Sequence, residues 1–137
     1  MKLSSFRFFL LTAAFAIGPI LSAAPTLAGH VGLKGQTIDA DAIKAILLGK
    51  RVNLGDARVI IVIAKAGEAQ EAFLQRHVGM STSQFQNHWR RLFMTGGGSA
   101  PKIVDTEADA CKTASETPGA IVMADEAATA NLAVLAK

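Results

Sequence analysis

The stretch that most invites a chemical reading is RRLFMTGGGSAPK, residues 90–102. Three consecutive glycines with a serine and a lysine behind them are the parts of a phosphate cradle. Such a cradle needs a strand, a glycine loop, and a Lys-Ser/Thr pair opening a helix, so that backbone N–H groups and the helix dipole meet the phosphates. Here the glycines follow a helical pattern, Ser99 precedes Lys102, and Pro101 stands between them. The order is wrong for a nucleotide site. Glycines 96–98 read as a helix stop followed by a turn.

The other reactive residue types do not converge either. His30, His77 and His88 include no pair at the four-residue spacing of a helical zinc site, and Cys111 is remote from all three. With Arg76, Arg90 and Arg91 nearby, His77 and His88 read as part of a solvated basic face. Asp39 and Asp41, and Asp105, Glu107 and Asp109, fall at helix starts, where acids serve the dipole. No serine or cysteine has a base and an orienting partner at a recognisable spacing, and there is no G-x-S-x-G elbow. The sequence therefore predicts no catalytic residue, no metal site and no cofactor, which is to say no enzyme; a small hydrolase is the remote alternative. One segment keeps an anion-binding reading. In VIIVIAKAGEAQEAF a turn of small residues links a buried strand to a helix start, the geometry in which free N–H groups receive an anion. The candidate ligand-binding residues are Lys65, Ala66, Gly67, Glu68 and Ala69. Gly67 and Ala69 would offer backbone N–H groups and Lys65 charge, while Glu68 and Glu71 would repel.

Composition bounds the elements that must position this turn. The chain has 137 residues, half of them hydrophobic. Its first segment places Lys2 and Arg7 before an apolar run from Phe8 to about Leu21, then small residues with Thr26-Leu27-Ala28 as a cleavage site. That order is the secretory signal pattern. Gly18 and Pro19 interrupt the run, which falls short of the roughly 20 apolar residues of a spanning helix. Residues 1–28 are expected to be a cleaved signal peptide, with no membrane span after cleavage, and residues 29–137 one domain. Setting Lys2 and Arg7 aside reduces the formal charge of +3 to +1, so nothing points to nucleic acid. Cys111 is the single cysteine, excluding an intrachain disulfide. Its neighbours Ala108, Ala110 and Ala114 predict burial.

Along the domain, TIDADAIKAILLGK reads as a helix capped by Asp39 or Asp41 and stopped by Gly49. NLGDA is a turn, and RVIIVIA (58–64) an unbroken β-branched strand covered on both faces. GEAQEAFLQRHVG is a helix ending at Gly79. The next helix opens with a Ser81/Gln84 capping box and carries Phe85, Trp89, Leu92 and Phe93 on one face. DTEADACKTASET is a helix capped by Asp105 or Thr106, and GAIVMAD and NLAVLAK are short strands. Helix, strand, three helices and two strands make an α/β domain.

Five signposts, in order, carry a family resemblance: AILLGKR, EAFLQRHVGMS, Trp89, FMTGGGSAPK and TPGAIVMAD. Over residues 41–137 the chain resembles small single-lobe relatives of the substrate-binding protein of bacterial phosphate ABC transporters. The resemblance implies a single lobe of a type II periplasmic binding protein-like fold, with strands flanked by helices. It also implies export to the periplasm and non-catalytic recognition of a small oxyanion, with a membrane transporter or periplasmic protein as partner. Where the family places its Arg and Ser-Gly-Thr anion ligands, this chain has Ile63 and Gly67, Glu68 and Ala69. Where relatives read Gly-Tyr after Pro-Gly-Ala-Ile, it has Val122 and Met123. The alternative reading is a periplasmic interaction or sensor module that has lost its ligand.

Overall fold

The computed structural model describes residues 24–96 and 100–137. Five strands form the central sheet: β1 (Pro25–Gly29), β4 (Ile60–Ala64), β5 (Lys102–Val104), β6 (Ala120–Asp125) and β7 (Ala133–Ala136), in the order β5-β4-β6-β1-β7. β4 runs parallel to β5 and β6, whereas β1 lies antiparallel between β6 and β7. A two-residue hairpin, β2 (Asn53–Leu54) and β3 (Ala57–Arg58), stands apart. The helices are α1 (Ala40–Leu47), α2 (Glu68–Val78), α3 (Thr82–Met94) and α4 (Glu107–Glu116).

The alternation of side chains along β4 sorts the two layers. Ile61 and Ile63 point into a core with Phe73, Leu74, Phe85 and Trp89 from α2 and α3, and with Ile43, Ile46 and Leu47 from α1. Val62 points the other way, toward Ala110, Cys111 and Ala114 of α4. That second layer is built from small residues on both sides, Ala28, Ala120 and Ala124 facing the α4 alanines, so the helix can pack closely. Cys111 is buried there, as its neighbours predicted. Burial, and secondarily Glu107, pushes its thiol pKa up, which keeps the sulfur protonated and inert.

The predicted helix signals operate as read. Asp39 caps α1, its carboxylate accepting from Ala42 N at 2.7 Å. Gly79 closes α2 in the left-handed conformation at φ 66°. Ser81 and Gln84 form both bonds of the capping box at α3. Thr106 rather than Asp105 caps α4. Two α3 side chains also cap a neighbour. Trp89 Nε1 donates to Leu47 O at 2.9 Å and His88 Nε2 lies 3.0 Å from Leu48 O, occupying carbonyls at the end of α1.

Four expectations change. Thr26, Leu27 and Ala28, read as the end of the signal segment, are buried in β1. The apolar run before them, and glycines 97 and 98 of the glycine run, lie outside the described residues. The β-branched run 58–64 is divided, Arg58 belonging to the hairpin and Ile60–Ala64 to the sheet. Phe93, expected inward with Trp89, is 60% exposed. Finally, His77 and His88 are both half-buried rather than solvated. His77 stacks on Phe73 at 4.1 Å between ring centroids, and its Nε2 is buried without a hydrogen-bond partner.

Candidate functional site

β4 and β5 are parallel neighbours, so the turns leaving them emerge side by side and the N-termini of α2 and α4 meet. Each terminus carries free N–H groups and the positive end of a helix dipole. This junction contains the turn singled out by sequence, Lys65 to Ala69. Lys65, Ala66 and Glu68 are exposed, Gly67 is half-buried, and Ala69 is buried.

The junction already holds a carboxylate. Gly67 is the N-cap of α2 and has no side chain with which to cap it. Glu107, from the first turn of α4, fills the gap: its Oε1 accepts the Gln70 N–H at 3.0 Å. A Cβ on residue 67 would run into the Glu107 carboxyl, so a larger residue there would push this side chain aside and cost the Gln70 cap. Beside it, Lys65 Nζ pairs with Asp105 at 2.8 Å. The hydrogen bond and charge of Asp105 raise the Lys65 pKa, and those of Lys65 lower the Asp105 pKa. Both side chains are mostly exposed, so the pair orients the turn more than it stabilises the fold.

Behind the turn sits a fully buried Gln70. Its Oε1 accepts from Ala64 N and its Nε2 donates to Ala64 O, both at 2.8 Å. The amide thereby stands where a strand partner would, beyond the point at which β6 stops pairing with β4 at Val62. Nε2 also reaches Thr82 Oγ1 at 3.3 Å, and Thr82 in turn donates through N and Oγ1 to Glu71 Oε2, at 3.0 and 2.6 Å. Glu71, expected to repel an anion at α2, instead serves the N-terminus of α3. The outer side of the turn opens on a depression of about 610 Å³, lined by Lys65, Glu68, Glu71 and Ser83 among others.

At this turn Lys65, Gly67 and the start of α2 stand beside Glu107, Asp105, Gln70 and Thr82. The signal for Glu107 and Asp105 lay in Lys102–Val104: recognising a strand there would have placed 105–107 beside 65–70. Gln70 gave no sign, being an ordinary polar residue in a helical pattern. Among the described residues no group of three or more His, Cys, Asp or Glu side chains could hold a metal ion. No described helix is long and apolar enough to cross a membrane.

No protein-family model matches the chain, and no curated protein matches it significantly in sequence. Solved structures do match in fold. One, described as a phosphate ABC transporter substrate-binding protein with bound phosphate from Clostridium perfringens, aligns with a TM-score of 0.61 at 18% identity. Another, an ABC-type phosphate transport receptor from Vibrio cholerae, aligns with a TM-score of 0.59 at 8% identity. Each alignment covers 81% of this chain but only 43% and 44% of the respective neighbour. The chain therefore has the fold of a single lobe of these proteins, and spans less than half their length.

Proposed function

We propose that the chain is an exported, non-catalytic recognition lobe of the solute-binding type associated with phosphate ABC transporters. It works in the periplasm, with processing ahead of Pro25, and meets a small oxyanion at the Lys65–Ala69 turn. The observation that carries this reading is the Glu107 carboxylate on the Gln70 N–H: the helix junction selects an oxygen anion, and the chain supplies one of its own. An external oxyanion must displace Glu107 and recruit Lys65 from Asp105, so binding by the unaltered chain is weak and its ligand class is small. A membrane transporter component is the natural partner of such a lobe.

The test is a titration of the purified chain and of Glu107→Ala with phosphate and other oxyanions, following thermal stability. A ligand at one hundred times its dissociation constant stabilises by about 2.7 kcal/mol. The alanine variant is expected to respond at lower anion concentration than the parent, and Lys65→Ala to reduce that response. A second reading is favoured by the same contacts: with α2 capped by Glu107 and Lys65 held by Asp105, the lobe is an interaction module that no longer needs a ligand. Indifference of both the parent and Glu107→Ala to every oxyanion would decide for it.

A further inference from the structure

The charges of this chain are unevenly placed. No acid occurs between Asp41 and Asp56, nor between Glu71 and Asp105, and the fold brings parts of these two stretches together. Gly49, just past the end of α1, stands so close to Trp89 and Leu92 that a Cβ there would touch both. Lys50 and Arg51 therefore lie beside the last turns of α3. Arg51 lines a crevice with Trp89 and Ala100, and Arg90 and Phe93 line a groove with the same two residues. Lys50, Arg51, Arg90 and Arg91 are all exposed. None of the four belongs to either ion pair among the described residues.

The nearest acids turn elsewhere. Asp39 and Asp41 stand at the opposite end of α1. Asp56 is in the hairpin turn, whose Gly55 lies beside Gln36, and Glu116 ends α4 on the other face of the sheet. Apolar side chains emerge among the four cations. Phe93 is 60% and Met94 80% exposed, and they are the last two residues of α3; Val52, next to Arg51, is 41% exposed. A protein partner offers charges of both signs. Cations alone around exposed apolar residues instead match a surface that is anionic outside and apolar beneath.

We propose that this end of the lobe docks on a bilayer containing anionic lipid. Phe93 and Met94 enter the boundary of the acyl region, and Lys50, Arg51, Arg90 and Arg91 lie among the headgroup phosphates. The surface adjoins Val59, Ala100 and Pro101, which lead into β4 and β5. The Lys65–Ala69 turn lies where β4 ends, so a docked lobe holds that turn away from the membrane. Docking does not depend on whether the turn binds an oxyanion.

The exported, processed chain is purified and sedimented with vesicles of phosphatidylcholine alone, and of an equal mixture with phosphatidylglycerol. Partition into the mixed vesicles is expected, weakening with salt. It should fall by about fivefold for each cation removed in Arg90→Gln and Arg91→Gln. Phe93→Ser and Met94→Ser, at exposed sites and with no change of charge, should also lower it while leaving the circular dichroism unchanged. Lys112→Gln, on α4 across the sheet, should match the parent, as should Lys65→Ala, which keeps this result apart from the oxyanion titration. Absence of co-sedimentation with the mixed vesicles would overturn the proposal, as would equal partition into the neutral ones. An equal loss in Lys112→Gln and Arg90→Gln would do the same, because net charge alone would then account for binding. So would binding that Phe93→Ser and Met94→Ser leave unchanged and heparin abolishes, which would assign the face to a soluble polyanion.

Discussion

Gln70 shows how one side chain can join three elements. Its amide satisfies the N–H and C=O of Ala64, which is itself fully buried. Gln70→Leu keeps comparable bulk but leaves both backbone groups dry and unpaired. The expected loss is about 3 kcal/mol, from a penalty of about 1–3 kcal/mol per unsatisfied buried group; urea unfolding would measure it. His77 makes a pH prediction. Burial, and secondarily the charge of Arg76, lowers its pKa, so the unfolded chain binds the proton more readily than the folded one. Its contribution is complete above the unfolded value near 6.5 and is lost as pH falls through the lowered folded value. Denaturation midpoints should drop across that window in the parent and less so in His77→Phe. The capping box of Ser81 and Gln84 was legible because it acts within its own local segment. Glu107 and Gln70 were not, because their partners lie across space: Gln70 binds a strand end, and Glu107 reaches an amide 37 positions earlier.

At the scale of elements, legibility followed the same division between local and distant causes. The caps of α1, α3 and α4 are short-range chemistry, and they stand where the residues put them. The strand Pro25–Gly29 was hidden because its small and apolar residues, Thr26-Leu27-Ala28-Gly29, also satisfy the pattern of a processing site. Its identity depends on β6 and β7, which flank it. β5 was hidden by its length of three residues and by its place behind the glycine run. A direct prediction separates the two readings of residues 24–28. A chain starting at Ala24 should fold cooperatively. One starting at Gly29 loses Leu27 and Ala28, both fully buried, and leaves β6 and β7 without their shared partner. It should be unfolded or aggregated by circular dichroism and size-exclusion chromatography. A folded domain from the shorter chain would mean that β6 and β7 can close the sheet without β1.

For the whole molecule, the two faces of the sheet divide the work. The α1–α2–α3 face holds the large side chains, including Phe73, Phe85 and Trp89, and the α4 face holds alanines, valines and Cys111. The parallel pair β4–β5 gathers the helix N-termini at one end, while the antiparallel β1 ties the two ends of the described chain together. That last feature has a bearing on how the protein comes into being. Pro25 pairs with Asp125 and Leu27 with Ala136, so β1 must wait for strands made much later. Sequence-distant pairing of this kind slows folding, and a ribosome-bound chain still lacking β6 and β7 cannot complete the sheet. A nascent polypeptide therefore carries β1 unpaired until β6 and β7 have both emerged, so this strand is the last part of the sheet to gain its partners although it is made first among the five.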